Sequence, residues 1–285
     1  MLSMTERRAG KLNFLEKTLP EGLLVDAAWM ERHGYSTSLR SQYVNAGWLV
    51  QPTRGTYKRP RGQLTWEKAV ISLQTLLGHT VIVGGRTALE LEGYGHYVRS
   101  GPQIVHLHGR TKPPAWLDKL PVEARFVFHK TETLFRSDPV SKGLTSLAFD
   151  IAENSGQRVD LLQTGALREH FTHAEWPLTV STPERAFLVL LDELPTRETF
   201  HNVDMIAEGL RTLSPRRLQK LLEDCRSVKV KRLFFWFADR HRPPWLTHLD
   251  RSRVPLGSGK RMLVKGGKLD PTYLITVPED LGGAV

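Results

Sequence analysis

Apolar residues recur at helical spacing through the first third of the chain. Leu12, Leu15 and Leu19 predict a helix over residues 11–19, broken by Pro20 and Gly22. Residues 24–32 read as a second helix with Val25, Ala28 and Trp29 inward. His33-Gly34 ends it, Gly34 being suited to a left-handed C′ position. Ser36 is placed to cap a third helix in which Leu39, Tyr43 and Ala46 share one side, until Gly47 stops it. Residues 48–50 and 56–58 are strand-like and joined by a Pro- and Gly-containing loop over 51–55. Thr65 then caps a helix with Trp66, Ala69, Val70, Leu73 and Leu77 as its apolar stripe. A strand over 80–83 turns at Gly84-Gly85 into a short helix ended by Gly93. Strands over 104–108, 125–129 and 147–151 come next. The last third reads as helices: one opening at Pro183 and ending at Pro195, one opening at Ser214-Pro215, and an aromatic-rich one around Phe234 and Phe237. Short strands and turns close the chain. Phe234 and Phe237 read as core, whereas Trp236 and Trp245 are equally readable as core or as contact residues.

This succession predicts an α+β protein. An N-terminal winged helix-turn-helix over residues 1–62 precedes a larger mixed domain over 63–285. The latter divides into a small α+β part (63–180) and a mostly helical, basic part (181–285).

The third helix is unusual in its polar side. Ser36, Thr37, Ser38, Arg40, Ser41 and Asn45 occupy it, where Glu and Lys would be the usual choices for a merely solvated helix. Short hydroxyl and amide side chains with one arginine can approach base edges and phosphates without blocking entry to a major groove. A hairpin directly after such a helix has the position of a wing. Arg54 at its tip, with Lys58 and Arg59 behind, is expected to meet phosphates or a narrow minor groove. A protein-binding use of the same small domain is the competing reading.

Charge strengthens the polyanion reading. The net charge of the 285 residues is +10, and it is segregated. Residues 1–62 hold 10 Lys and Arg against 5 Asp and Glu, and residues 215–268 hold 15 against 4, while residues 63–214 hold 15 against 18. Arg216, Arg217, Lys229, Arg232, Arg240, Lys260 and Arg261 therefore form a candidate second anionic contact. No apolar run approaches the ~20 residues of a membrane span, and residues 1–14 lack a signal-peptide core. A single cysteine, Cys225, excludes an internal disulfide and reads as a packed thiol in a cytoplasmic protein.

Catalytic chemistry finds little support. Gly257-Ser258-Gly259-Lys260 lacks the first glycine of a P-loop and has Arg261 where Ser or Thr is needed. The Gly84-Gly85 turn is not followed by the paired carboxylates of a nucleotidyltransferase metal site. His106 and His108 on one strand read as surface or packed residues. His170 and His173 have only Glu169 and Glu175 as weak third ligands, so no metal or cofactor is assigned.

Taken together, "GWLVQPTRGTYKRP", "VIVGGRTALELEGYG", "STPERAFLVLLDEL" and the closing "LGSGKRMLVKGG…YLITVP" resemble the AbiEi-type antitoxins of type IV toxin–antitoxin systems. These are also described as transcriptional regulators of abortive-infection loci. The resemblance runs from about residue 14 to about residue 278. It implies a winged helix that binds inverted repeats at the promoter of its own operon, and a larger domain that neutralises a nucleotidyltransferase toxin without a stable complex. It implies no catalytic residue. What transfers by position is the polar face from Ser36 to Asn45 and the wing around Arg54. The long basic C-terminal region is a departure, so DNA contact need not be confined to the first domain. Two alternatives stand beside it: an enzyme acting on nucleic acid or nucleotides and targeted by the winged helix, or a ligand-sensing regulator without a toxin.

Overall fold

The structure, a computed structural model, describes residues 4–95, 102–130, 134–136, 149–150, 155–156, 167–171 and 176–281. It opens with α1 (Met4–Thr18), whose Leu15 is buried as the spacing predicts. The expected second helix is shorter than its predicted span. Leu24–Asp26 forms strand β1, and only Ala27–Arg32 is helical (α2). Leu23, Leu24 and Val25 are a fully buried apolar run too short to distinguish helix from strand by pattern. Asp26 decides the boundary, because its carboxylate accepts the Trp29 N–H at 2.8 Å and so caps α2.

Helix α3 (Thr37–Asn45) forms where predicted, with Tyr43 buried and Leu39 half-buried, but Ala46, expected on the same inner side, is the exposed C-cap. Ser36 Oγ accepts the Leu39 N–H at 3.3 Å, and Gly47 takes a left-handed φ of 74° that lets the Trp48 N–H return to Tyr43 O. The chain then doubles back in a hairpin turn, but of the strand expected over 48–50 only Val50 is paired, by a single bridge. Val50 pairs antiparallel with Lys58, and β2 (Thr56–Lys58) pairs on its other side with β1, Leu24 lying opposite Lys58. Helix α4 (Trp66–Thr75) is capped by Thr65 and buries Trp66, Ala69, Val70 and Leu73. The Leu24 N–H donates to Ser72 Oγ of α4 at 3.0 Å, which fastens the small sheet to this helix.

Further strands are β3 (Val81–Val83), β4 (Gln103–Gly109), β5 (Ala124–Lys130), β6 (Phe149–Asp150), β7 (Ser155–Gly156), β8 (Leu167–Phe171) and β9 (Pro177–Ser181), with α5 (Gly85–Leu91) after β3. Five of them make one mixed sheet in the order β5-β4-β3-β9-β8. Of the strand expected over 147–151, residues 149–150 form β6; residues 147, 148 and 151 lie outside the described residues. His170 lies in strand β8, so it has no helical i,i+3 partner, and His173 and Glu175 lie outside the described residues.

The sheet has two covered faces, as the period-2 alternation of buried strands requires. Val81, Val83, Val105, Leu107, Leu178 and Val180 face the core shared with α1 to α4. Ile82 faces a second core built by α5 and the C-terminal helices. Those helices are α6 (Pro183–Asp192), α7 (Phe200–Gly209), α8 (Pro215–Asp224) and α9 (Val228–His241), followed by the hairpin β10 (Lys268–Asp270) and β11 (Ile275–Val277). Helix α6 stops at Asp192, short of the expected Pro195, and is buried from Pro183 to Leu191. It is the central helix of that core. Its Glu184 accepts the Ser214 N–H at 2.8 Å, anchoring the start of α8. Phe234, Phe237, Trp236 and Trp245 are all buried, and the Trp245 indole N–H donates to Leu210 O at 2.7 Å. The two tryptophans that the sequence left open are core residues, each at 5% exposure. Among the described residues, no helix is long and apolar enough to cross a membrane.

Candidate nucleic-acid interface

The outer side of α3 is hydrophilic and accessible. Ser36, Thr37, Ser38, Ser41 and Asn45 are exposed, and so is Gln42, which sequence reasoning passed over although it lies on the same helix. Ser36 Oγ and Ser38 Oγ lie 3.2 Å apart at the helix start. Tyr43 turns inward and meets Tyr35 edge-on at 6.2 Å between ring centres.

Arg40 departs from its expected role. It is only 7% exposed. Its Nη1 donates to Ala27 O at 2.7 Å, its Nη2 donates to Thr37 Oγ1 at 2.8 Å, and its guanidinium lies 5.8 Å from the Tyr57 ring centre. Arginine has five donors in a fixed fork, so it can bind three elements together in the interior as readily as it can reach a base. Here it braces α3 against α2 and β2, and it orients the Thr37 hydroxyl by occupying its acceptor side.

Two of the three hairpin cations are likewise engaged. Lys58 Nζ donates to the carbonyls of Arg59 and Gly62 at 2.9 and 3.1 Å, and burial lowers its pKa. Arg59 pairs with Glu21 at 3.2 Å. Arg54 is exposed in the loop between Val50 and β2, as its position in the sequence suggests, and Arg61 is exposed beyond the hairpin. The Gly55 carbonyl next to Arg54 accepts the Ala27 N–H at 2.8 Å, which ties the loop to the start of α2.

The second basic region is thinner than its charge suggests. Arg232 is 2% exposed and donates to the carbonyls of Leu256 and Gly259 at 2.8 and 2.7 Å. Arg240 pairs with Asp204 at 2.9 Å and Lys229 donates to Leu194 O at 3.0 Å. Arg217 lies 3.8 Å from Glu184. Arg216, Lys260 and Arg261 remain exposed. Four of these seven cations are thus engaged by carbonyls or carboxylates of the chain itself.

A cluster of a different kind lies on the α6 side of the sheet. His106 and His108, which the sequence offers only as surface or packed residues, are both buried, and both stack on His129 of β5. Burial holds the pKa of His108 well below the ordinary histidine value, with His129 and Arg185 acting in the same direction. Burial also lowers that of His129, although Glu193 opposes it. A cavity of about 350 Å³ opens on His129, Glu193 and Arg197. The spacing of 23 and 64 residues between its members hides this cluster from motif reading. The one local signal is the Gly84-Gly85 turn against which it packs.

A crystal structure of the RV2827C protein from Mycobacterium tuberculosis has a similar fold, with a TM-score of 0.53 and 15% identity over 96% of this chain and 92% of that chain. A search of curated proteins found no match. The sequence pattern of an AbiEi antitoxin N-terminal domain, described as a transcriptional regulator, matches residues 8–100. That of the domain described as "Transcriptional regulator, AbiEi antitoxin, Type IV TA system" matches residues 103–278. Between them the two matches cover most of the chain, which belongs to the AbiEi antitoxin family of type IV toxin–antitoxin transcriptional regulators.

Proposed function

We propose that this protein binds operator DNA through α3 and the adjoining hairpin, represses the operon encoding it, and opposes a nucleotidyltransferase toxin in the cytoplasm. The succession of α1, β1, α2, α3 and a hairpin paired to β1 is read as a winged helix. Residues 1–62 are the DNA-binding unit and residues 63–285 the antitoxin part. The observation that carries the reading is the outer side of α3. Thr37, Ser38, Ser41 and Asn45 stand exposed there with no carboxylate among them, while Arg40 and Tyr43 hold the helix from inside. Such a face offers donors and acceptors to base edges without repelling phosphates. Arg54 supplies a backbone or minor-groove contact, and Arg216, Lys260 and Arg261 a second anionic surface. The family is one of regulators and antitoxins, which favours a non-enzymatic role.

Two experiments test the reading separately. Fluorescence anisotropy with the DNA upstream of the gene, against a scrambled duplex, is expected to show preferential and salt-dependent binding. Equal affinity for both duplexes would contradict operator recognition. Co-expression with a neighbouring nucleotidyltransferase is expected to restore growth, and continued growth arrest with full antitoxin expression would contradict the antitoxin role.

A further inference from the structure

Three polar atoms converge on one point in the protein interior. His106 Nδ1 and His129 Nε2 lie 3.0 Å apart, and each lies 3.5 Å from Glu193 Oε1. Ligands held about 2.0–2.1 Å from a tetrahedral zinc ion are separated by about 3.3 Å. The observed triangle therefore has the dimensions of one face of such a coordination shell.

The surroundings favour a cation at that point. Glu193 caps the C-terminal end of α6 and is 6% exposed, yet among the described residues neither of its carboxylate oxygens has a hydrogen-bond partner. A buried carboxylate without a hydrogen-bonded partner costs several kcal/mol, a cost that an ion on it would offset. The histidines are held firmly. The His106 N–H donates to Thr87 Oγ1 at 2.9 Å, and β4 pairs in parallel with β5 so that His108 lies opposite His129. The glycine turn makes room for the group. A Cβ on Gly84 would come within 2.5 Å of the His108 ring, and one on Gly85 within 3.5 Å of Glu193 Oε1. The adjoining cavity provides an approach to His129 and Glu193.

We propose that His106, His129 and Glu193 form a binding site for a borderline divalent transition-metal ion of the zinc type. Two imidazoles and one carboxylate suit zinc or cobalt better than magnesium or calcium, which prefer all-oxygen shells. Three protein ligands leave a coordination position for a water or ligand on the cavity side. The ion would join β4 and β5 to the end of α6, clasping the sheet to the C-terminal core. Arg197 competes with it. Arg197 Nη1 lies 3.0 Å from His129 Nδ1, which places the imidazole proton on Nε2 and lets that atom donate to His106 Nδ1. Metal on Nε2 requires the proton on Nδ1 instead, so Arg197 must withdraw.

Cobalt(II) titration of the untagged, full-length chain tests this, followed by visible absorption and by thermal unfolding. The wild type is expected to bind one equivalent with the strong d–d bands of low-coordinate cobalt. Zinc should displace it, and melting should rise by about 5 °C at a hundredfold excess over Kd. His129→Ala and Glu193→Gln are expected to lose both signals. Glu193→Gln preserves side-chain volume, so a native circular-dichroism spectrum keeps the result interpretable if His129→Ala fails to fold. Arg197→Ala is expected to bind at least as tightly as the wild type. Absence of bands in the wild type, wild-type binding by Glu193→Gln, or loss of binding in a folded Arg197→Ala would each overturn the proposal.

Discussion

Arg40 of α3 donates to the carbonyl of Ala27 at the first position of α2, so the two helices are locked together by a buried guanidinium rather than by apolar contact alone. A charged hydrogen bond contributes about 1.5–3 kcal/mol, and truncation leaves the accepting carbonyl less well satisfied. Arg40→Ala is therefore expected to lower the unfolding free energy by about 2–3 kcal/mol in urea titration. Arg40→Lys restores little of it, because an ammonium cannot reach Ala27, Thr37 and Tyr57 at once. A change within about 0.5 kcal/mol would show that the brace is dispensable.

Gln74 makes a comparable connection in the sheet. Its amide accepts the Thr179 N–H at 3.0 Å and donates to Val81 O at 2.8 Å and to Thr179 O at 3.1 Å. It spans β3 and β9 beside their single paired position, Val83 with Val180. Gln74→Ala orphans these buried groups, so a loss of about 2–4 kcal/mol is expected from denaturant unfolding. Gln74→Glu is expected to restore only the acceptor half.

Cys225 is fully buried, and burial pushes its thiol up to about 11. The thiolate is the reactive form. In native conditions at neutral pH the single thiol is thus expected to resist a disulfide reagent for as long as the fold persists, and to react stoichiometrically in guanidinium. Rapid labelling of native protein would contradict its burial.

Much of this architecture is legible in the amino-acid pattern, and its failures have physical causes. Ser36, Thr65 and Ser214 each announce a helix start that the backbone adopts, because N-capping is local chemistry. Strand β1 is not legible, since three consecutive apolar residues fit a buried strand and a buried helix equally. The exposed serines and Asn45 of α3 are readable from helical periodicity. The inward turn of Arg40 is not, because its partners Ala27 and Tyr57 are fixed only when the module closes. Arg232 and Lys58 obey the same rule: charge is visible in sequence, but whether carbonyls capture it is a tertiary fact. The convergence of His106, His129 and Glu193 depends on the parallel register of β4 and β5 and on where α6 ends, neither of which leaves a motif.

Arg54 is exposed in the hairpin loop, and its proposed DNA contact is testable apart from base recognition. Arg54→Ala is expected to weaken binding to operator and scrambled DNA alike and to reduce the slope of log K against log salt by about 1. Its thermal stability should match the wild type, since the side chain lies on the surface. An unchanged slope would remove Arg54 from the contact.

The most direct measurement concerns the outer side of α3. Binding of the wild type and of a Ser41→Ala/Asn45→Ala variant to upstream and scrambled duplexes should be compared at one salt concentration. Both substituted residues are exposed, so folding is expected to be preserved. If this face reads bases, the preference for the upstream duplex falls about tenfold or more while scrambled binding holds. An undiminished preference in the folded variant would contradict the role assigned to α3.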